Sequence, residues 1–440
     1  MHNSANNGYR TMNPTKYILD ERKAYSHYTI QSRAIPSLDD GLKPVARRVI
    51  WMARDGKHYK SATLAGSAMP IHPHASPEGA VNTLAAEYSN NNPLLKGDGA
   101  FGTLLDPKSY GASRYTSVEV SDFCKRAFLV DVELIPMKPN YDGTLEEPVH
   151  FLPIVPMVLI NPSEGIAVGF ATNILPRSLE DVVMAQIQYL TTGKVKAGLL
   201  PKFVPTGSAA RCVAGSTYVF DGVYTTKGRT IHITKLPYGT NHGNLTDCIG
   251  KACDAGLIAS YIDNSSDTID VSIIVDKDAG IDNVISMLPV SARHTENLNV
   301  IDFDHTTIVN LTPQQVVSKF TEWRLGWYVN RYERLRDLLL VDIQKYRDIQ
   351  TAIHKKVNAT VTKVTSKAAL VELLSKLGIV YVDYIASLPV YRFSIEEYEK
   401  NERLIAQAEA TLKEYERILS STDERKAIYI SELKQLLKLK

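Results

Sequence analysis

Apolar residues recur with a helical period at the start of the chain. From residue 14 to about residue 32 they lie on one face of an amphipathic helix. The pattern of residues 42–54 predicts a second helix. Its proline is tolerated because it lies in the first turn, and an Asp-Asp-Gly turn precedes the helix. Residues 61–90 show a helix-turn-helix-like alternation that the loop 70–77 interrupts. The pattern predicts a helical first part of the chain.

The middle of the chain changes to strand-like patterning. Short apolar stretches broken by proline and glycine continue to Asn173 and predict a small wing-like sheet. Apolar, β-branched runs at residues 230–233 and 271–275 predict strands, and they flank a helix expected near residues 244–255. Residues 176–310 are therefore expected to form an α+β domain of their own.

The last third of the chain is patterned for long helices. Thr312 and Gln315 have capping-box spacing around a first-turn proline, and the helix they begin can run to His354. Its length would be about 60 Å at 1.5 Å per residue. Ser394 and Glu397 form a second capping-box pattern that begins a return helix. An ordinary two-helix hairpin packed on a core is the alternative, but the length favours a protruding antiparallel coiled coil with a small knob.

These patterns together predict an α+β multidomain protein. A chain of 440 residues is too long for one typical core and is expected to divide into two or three domains. The changes in pattern divide the chain into an N-terminal helical segment, 1–32, and three domains, 33–175, 176–310 and 311–440, with the knob at about 361–393.

Composition adds little, whereas the local distribution of charge adds more. The hydrophobic fraction of 44% and the charged fraction of 22% are those of a globular protein, and the net charge is only +2. Between Lys43 and Lys60, however, the chain carries six basic residues against the single acid Asp55. A solvated helix face is the usual explanation of such a run. Its position beside the motifs described below favours a phosphate-binding surface.

The cysteines and the N-terminus bear on the cellular compartment. The four cysteines form no CxxC pair, and no histidine follows them at zinc-finger spacing, so we expect reduced, buried thiols. The N-terminus has no basic-then-apolar signal pattern, and no apolar run reaches the roughly 18 residues of a membrane span. A cytoplasmic location without a membrane partner is expected.

Tyr115 is the candidate nucleophile of this chain. Tyrosine attacks poorly near neutral pH because its pKa is near 10, so it needs nearby cations that stabilise the phenolate and the charge developing on a phosphate. Arg114 is adjacent, and the cluster from Lys43 to Arg48 can fold against it. Alone, an Arg-Tyr pair is more often part of an ordinary surface.

The wider sequence context changes that judgement. Arg33-Ala34-Ile35-Pro36 followed by Asp40-Gly41-Leu42-Lys43-Pro44-Val45-Ala46-Arg47-Arg48 resembles the signature of gyrase A, the DNA-cleaving component of DNA gyrase, which is shared by its type IIA topoisomerase relatives. Further blocks similar to this family follow in the family's order: His72-Pro73-His74, residues 97–102, Arg114-Tyr115-Thr116, residues 140–143, residues 165–173, residues 234–238 and residues 388–391. The resemblance covers nearly the whole chain.

The resemblance implies a fold and a reaction. It implies a winged-helix DNA-cleavage domain at 33–175 after an N-terminal helical arm, an α/β tower domain at 176–310, and a long coiled coil with a small helical C-gate. Tyr115 would attack a phosphodiester and become linked to the 5′-phosphate of the cut strand. Arg114 and Arg33 would neutralise phosphate charge, with Arg33 close to the partner protomer's site. His74 would assist at the scissile phosphate, although a capping or core histidine remains the alternative.

DNA-binding residues are implied in the same way. Lys43, Arg47 and Arg48 would hold the DNA backbone, because guanidinium donors match phosphate oxygens. Ile166 would wedge between base steps and bend the DNA, with a buried core isoleucine as the alternative.

Cofactors and partners follow from the same resemblance. Mg²⁺ and ATP would be bound by a gyrase B-like subunit with TOPRIM and ATPase domains, and no metal is expected in this chain. Asp302 and Asp304 have the family's DxD spacing but stand without its Glu-Gly-Asp block, so we expect them to be structural. Double-stranded DNA and a second copy of the chain, joined through the C-gate and the cleavage domain, complete the expected complex.

Departures from the bacterial pattern narrow the expectation further. Ala46 stands where gyrase has histidine, and residues 75–79 differ from the bacterial loop. These features resemble the T-even-type phage members of the family, and the absence of a wrapping domain favours relaxation or decatenation over supercoiling. A non-catalytic winged-helix and coiled-coil protein that organises DNA is the alternative function. A tyrosine recombinase fits less well, because the tyrosine lies early in the chain.

Overall fold

The computed structural model describes residues 14–73, 77–196, 198–357, 359, 364 and 366–438. The chain divides into two compact units. Residues 1–322 and 432–440 belong to the first unit, and residues 323–431 form the second. Helices and antiparallel sheets occur together in the first unit, which agrees with the predicted α+β class. The predicted division into four segments is finer than this one, and its three boundaries stay a prediction.

The helices begin close to where the sequence placed them. The first ends at Thr29 and is followed by a π-helical turn, Ile30–Ala34, which carries the chain into the region of the candidate site. The α-helices are α1 Pro14–Thr29, α2 Pro44–Ala53, α3 Ser61–Ala68, α4 Pro77–Ala85, α5 Asp122–Ala127, α6 Met157–Ile160, α7 Leu179–Thr192, α8 His242–Asp254, α9 Ile281–Met287, α10 Pro313–His354, α11 Lys367–Lys376, α12 Val382–Ser387, α13 Ile395–Ser420 and α14 Thr422–Leu436.

The described strands all lie in the first unit and pair antiparallel. They are β1 Tyr59–Lys60, β2 Leu95–Asp98, β3 Ser117–Val120, β4 Met137–Pro139, β5 Glu146–Pro148, β6 Ser163–Ile166, β7 Ala171–Ile174, β8 Lys202–Phe203, β9 Ser208–Ala214, β10 Thr217–Asp221, β11 Val223–Lys227, β12 Thr230–Lys235, β13 Ile258–Asp263, β14 Val271–Val275, β15 Ser291–Thr295, β16 Asn299–Ile301 and β17 Ile308–Asn310.

The predicted wing-like sheet takes a different form. Strand β3 pairs with β1 and β2, which precede the region where the sheet was expected, and β4–β5 and β6–β7 form two separate hairpins. An alternating pattern predicts a strand, but it does not predict the partner of that strand, because pairing depends on contacts distant in sequence. The winged-helix assignment stays a prediction.

The basic helix α2 has a fixed start and one buried face. Pro44 occupies its first turn, and Val49 and Ile50 are buried. The preceding turn requires glycine at position 41, where the backbone is left-handed with φ of 68° and an added Cβ would lie 2.5 Å from the backbone nitrogen of Val158.

The four-stranded sheet β11–β12–β14–β13 confirms the strands predicted in the middle of the chain. Ile231 and Ile233 of β12 are buried together with Val271 and Ile273 of β14, as period-two alternation requires. Helix α8 covers this layer through residues that include Leu245. The helix was expected near residues 244–255 and lies at His242–Asp254.

A buried ion pair ties the segment before α7 to the one after β15. Both oxygens of Glu296 accept hydrogen bonds from the Arg177 guanidinium, at 2.8 and 2.7 Å. The same guanidinium donates to the carbonyl oxygens of Leu175 and Leu199, so the charge is surrounded by acceptors.

In the second unit, α10 and α13 run antiparallel. The rings of Tyr332 and Tyr415 meet edge to face at 5.6 Å between centroids, and Arg347 pairs with Glu409 at 2.7 Å. Later residues of one helix thus contact earlier residues of the other. Helix α10 is 42 residues long, which agrees with the predicted length. Coiled-coil packing stays a prediction.

The two predicted capping boxes have different outcomes. At the start of α10 both halves form, because the backbone amide of Thr312 donates to the Gln315 side chain and the amide of Gln315 to the Thr312 hydroxyl. At the start of α13 the Ser394 hydroxyl accepts from the Glu397 amide, but the Glu397 carboxylate pairs with Arg392 at 2.6 Å. The second prediction is therefore half correct.

A small apolar core packs the end of α10 against α11 and α12. It contains Ile349, Leu374 and Ile385, and the Asp348 carboxylate accepts the backbone amides of Val380 and Tyr381. The four cysteines of the chain are free thiols, as expected, but only Cys124 is buried. Cys212 is exposed, and Cys248 and Cys253 are partly buried, so the prediction of buried thiols is wrong for these three. Among the described helices, none combines the length and the apolar character needed to cross a membrane.

Candidate active site

Tyr115 lies at the surface in a tight turn just before β3. Its side chain is 71% exposed, and its backbone amide donates to the carbonyl oxygen of Ala112 at 2.8 Å. The turn is held from outside as well. The amides of Ser61 and Ala62 donate to the carbonyl oxygens of Thr116 and Ser113, at 3.0 and 3.1 Å. The backbone of the turn is thereby fixed while the phenol ring remains accessible.

The first turn of α3 explains why this segment is ordered. The first amides of an α-helix have no partner within the helix, and here the carbonyl oxygens of the tyrosine turn accept two of them. Side chains add two further bonds: Thr116 donates to the Ser61 hydroxyl, and Ser113 donates to Glu78 of α4, both at 2.8 Å. A nucleophile on such a support loses little freedom when a substrate binds.

Two cations lie against Tyr115. The Arg114 guanidinium is 4.7 Å from the centroid of the phenol ring, and Lys60 donates from Nζ to the Tyr115 carbonyl oxygen at 3.3 Å. All three side chains are exposed. Positive charge here favours a bound phosphate.

Lys60 is a site residue that the sequence analysis did not single out. The sequence places it in the basic run, 55 residues before Tyr115. The pairing of β1 with β3 brings the two together, with Lys60 opposite Ser117. Only strand pairing could have identified it, because nothing in the local pattern distinguishes it from the other basic residues of the run.

Arg47 turns inward rather than towards solvent. It is 6% exposed, and its Nε and Nη2 atoms donate to the two carboxylate oxygens of Asp40, at 2.7 and 2.9 Å. Nη2 also donates to the hydroxyl of Ser37. Burial favours neutral groups, but the ion pair outweighs it, so the pKa of Asp40 is lowered and that of Arg47 is raised. This geometry favours a structural role for Arg47 over the predicted DNA contact.

Arg48 and Lys43 are also engaged within the chain. Arg48 pairs with the buried Glu147 at 2.5 Å, and Lys138 lies 3.8 Å from the same carboxylate. Lys43 is half-buried and donates from Nζ to the backbone carbonyl of Glu164 at 2.6 Å, and burial lowers the pKa of its ammonium. The three basic residues predicted to hold DNA are therefore the least accessible cations of the basic run.

A second group of predicted residues gathers at the β6–β7 hairpin. Ile166 lies at its tip and is 88% exposed, so the alternative of a buried core isoleucine is wrong. An added Cβ on Gly165 would lie only 2.0 Å from the carbonyl oxygen of Ala34, which shows how closely the hairpin approaches the π-helical turn. Arg33, on that turn, is exposed and lies over the ring of Tyr28 at 5.6 Å.

The predicted site thus forms two groups within one chain. Tyr115, Arg114 and Lys60 make up the tyrosine group, and Arg33, Lys43 and Ile166 make up the hairpin group. Among the described residues, no hydrogen bond, ion pair or ring contact joins a member of one group to a member of the other. The two groups are therefore supported by different elements of the fold.

The remaining predicted residues add little to the site. His74 lies outside the described residues. His72 stacks on Tyr28 and meets Tyr141 edge to face, so its ring packs within the fold. Asp302 pairs with Lys319 at 2.8 Å, and Asp304 accepts the amides of the turn that follows it, so both acids act in the fold.

Replacing Gly165 with alanine is expected to destabilise the first unit by about 1–3 kcal/mol, because the new methyl group would overlap a backbone carbonyl that cannot rotate away. Urea denaturation measures the change. Gly66→Ala in α3 is the matched control: nothing lies within 4 Å of its added Cβ, so it is expected to be neutral or to stabilise by up to about 1 kcal/mol. Equal effects would contradict the close approach.

Comparison with known proteins assigns the chain to a family. The family of the A subunits of DNA gyrase and topoisomerase IV matches residues 33–434. The chain is 29% identical over 463 residues to the gyrase A subunit of Mycobacterium tuberculosis, covering 94% of this chain and 54% of that protein. It is 28% identical over 457 residues to the gyrase A subunit of Lawsonia intracellularis, covering 91% and 54%.

A third relative comes from Haloquadratum walsbyi. Its gyrase A subunit is 30% identical over 327 residues, which cover 68% of this chain and 37% of that protein. The chain thus spans about half the length of the first two relatives and less of the third. Similarity to phage-encoded members stays a prediction. The matched range and these relatives confirm the resemblance drawn from the motifs: the chain belongs to the family of DNA gyrase and topoisomerase IV A subunits.

Proposed function

We propose that this chain is the DNA breakage-reunion subunit of a type II DNA topoisomerase, with Tyr115 as its nucleophile. The observation that carries the proposal is an exposed tyrosine on a rigid turn, with Arg114 and Lys60 against it, in a member of this family. A tyrosine in an ordinary surface needs neither a hydrogen-bonded support on both sides nor two adjacent cations.

The proposed reaction exchanges one phosphodiester for another. The Tyr115 oxygen attacks phosphorus, the bond from phosphorus to the 3′ oxygen breaks, and the phenol proton is passed on while the 3′ hydroxyl forms. The 5′-phosphate remains attached to the tyrosine. Attack by the 3′ hydroxyl reverses every step, so rejoining needs no ATP. Arg114 and Lys60 would stabilise the negative charge that develops on the phosphate oxygens.

The family implies Mg²⁺, but the two acids of DxD spacing in this chain, Asp302 and Asp304, are not available to bind the ion. Asp302 is occupied by Lys319, and Asp304 by the hydrogen bonds of its own turn. The proposal includes Mg²⁺ and ATP bound by a gyrase B-like partner, together with the use of ATP for strand passage.

A homodimer fits the separation of the two groups. Since the hairpin group makes no direct contact with the tyrosine group of its own chain among the described residues, Arg33 and Ile166 are free to serve DNA held by the tyrosine of a second copy. Two tyrosines placed across a duplex would then cut both strands with a stagger.

The knob offers a surface for the same dimer. Among the described residues in and beside it, the exposed large apolar side chains are Val380, Val390, Tyr391 and Ile395. Exposed apolar side chains grouped on one element often mark protein–protein contacts. We propose that two knobs meet there as an exit gate for the transported DNA, and that the long antiparallel helices act as the stalks.

The proposal is tested by trapping the covalent intermediate. The chain is purified with the partner that co-elutes from its native source and mixed with supercoiled plasmid, Mg²⁺ and ATP. Denaturation with detergent is expected to leave linear DNA with protein on its 5′ ends, and peptide mapping is expected to find the adduct on Tyr115. Broken DNA with phosphate ends free of protein would contradict the proposal.

Ile166→Ala is expected to reduce DNA bending and leave stability within about 0.5 kcal/mol of the parent, because the side chain is almost fully exposed. Fluorescence transfer between dyes at the ends of a short duplex measures the bend. Val168→Ala, on the same hairpin loop and less exposed, is the matched control and is expected to bend DNA normally. Unchanged bending by Ile166→Ala would contradict the wedge.

A further inference from the structure

Three side chains that are far apart in the sequence converge inside the first unit. Asp39 lies on the turn before α2, His150 follows β5, and His305 lies on the turn between β16 and β17. One donor atom from each lies within 4.8 Å of the other two. None of them takes part in the proposed cleavage reaction.

The Asp39 carboxylate is the unusual member of this cluster. The residue is 1% exposed, and its Oδ1 accepts the backbone amide of Asp40 at 2.8 Å. Its Oδ2 is buried without a hydrogen-bond partner and lies 3.5 Å from Nδ1 of His305. A buried carboxylate oxygen in this state is costly, so it calls for a ligand.

The histidines present suitable donors. Nδ1 of His150 lies 2.9 Å from the Phe151 carbonyl oxygen, which only accepts, so Nδ1 carries the proton and Nε2 carries the lone pair. This hydrogen bond is the outer-shell contact that typically orients a metal-bound histidine. His305 stacks on the His150 ring at 5.3 Å, and its backbone carbonyl accepts from Gln31.

We propose that Asp39, His150 and His305 bind one divalent transition-metal ion of the Zn²⁺ class. Two imidazoles and one carboxylate suit zinc, whereas Mg²⁺ and Ca²⁺ prefer oxygen donors alone. Donors held at about 2.0–2.1 Å in a tetrahedral site lie roughly 3.3 Å apart. The separation of 3.5 Å between Asp39 and His305 is close to that value. Water would complete the coordination.

The ion would act as a structural link. It would fix the turn that begins the basic helix α2 to the β16–β17 hairpin and to the segment after β5, all within the first unit. The sequence alone predicted no metal site in this chain. The site is separate from the Mg²⁺ expected on the gyrase B-like partner, so it stands or falls independently of the cleavage proposal.

The test is zinc binding by the full-length chain. After treatment with a chelator and dialysis, competition with a chromophoric zinc indicator is expected to show one tight site per chain. Asp39→Asn keeps the oxygen that accepts from Asp40 but weakens the metal ligand, and His305→Gln removes a ligand from a surface turn. Each is expected to weaken zinc binding by about 100-fold or more, since even outer-shell changes cost 10–100-fold.

His232→Gln is the matched control, because His232 also pairs with an aspartate, Asp270, at 2.7 Å but belongs to no three-ligand cluster among the described residues. It is expected to bind zinc like the parent. Cobalt added in place of zinc is expected to give the visible bands of a tetrahedral site in the parent and in His232→Gln only. A circular dichroism spectrum without metal checks that each variant folds. Parent protein that binds no zinc, or variants that bind as tightly as the parent, would overturn the proposal.

Discussion

A Tyr115→Phe protein, reconstituted with Mg²⁺ and the proposed gyrase B-like partner, is expected to bind DNA normally and to give no protein-linked breaks. The substitution removes only the attacking oxygen, and within the described part of the chain the hydroxyl of this exposed ring makes no hydrogen bond. Loss of a nucleophile typically costs at least about 10⁴-fold in rate, so cleavage should fall below detection. Detergent trapping and gel electrophoresis measure it, and a binding assay on the same duplex measures affinity.

Tyr110→Phe provides the matched control. Tyr110 is also an exposed tyrosine and lies five residues earlier on the same glycine-rich segment, so the same chemical change is made beside the candidate site. Normal cleavage is expected. Covalent complexes that persist in Tyr115→Phe would show that another residue is the nucleophile. A parent protein that binds DNA without cleaving it, and without need of divalent metal, would favour the alternative of a DNA-organising protein.

The second large effect is expected from Arg47→Met. The substitution leaves the carboxylate of Asp40 buried without its partner, and breaking a buried ion pair costs about 3–5 kcal/mol. Methionine fills a similar volume, so the loss reflects the missing charge rather than a cavity. Urea denaturation of the full chain is expected to show the first unit unfolding at lower denaturant.

Arg211→Gln is the control for this loss. Arg211 pairs with Asp221 at 3.0 Å, but both side chains are largely exposed, so the expected change is about 0–1 kcal/mol. The comparison also decides between the two roles of Arg47. If Arg47→Met kept its stability but lost affinity for DNA, with the loss smaller at high salt, the phosphate contact inferred from sequence would be supported and the structural role rejected.

The sequence determined the local elements and the candidate nucleophile. Helix α10 starts where Thr312 and Gln315 predicted it, and the buried isoleucines of β12 follow from period-two alternation, because both signals lie within a few neighbouring residues. Arg114 could be placed beside Tyr115 for the same reason, since they are adjacent in the chain. The ordered motifs also sufficed to identify the family, which the match to residues 33–434 confirms.

Only the tertiary structure decided which cations remain available. The sequence of the basic run predicts one exposed basic surface, but Arg47 and Arg48 form ion pairs within the fold. The partner of Arg48 is Glu147, which lies 99 residues later in the sequence. Lys60 reaches Tyr115 because two strands pair, and Asp39 meets His150 and His305 because three distant segments pack together. Whether a side chain at such a position is buried or paired depends on residues from elsewhere in the chain. A local sequence pattern does not specify these distant partners.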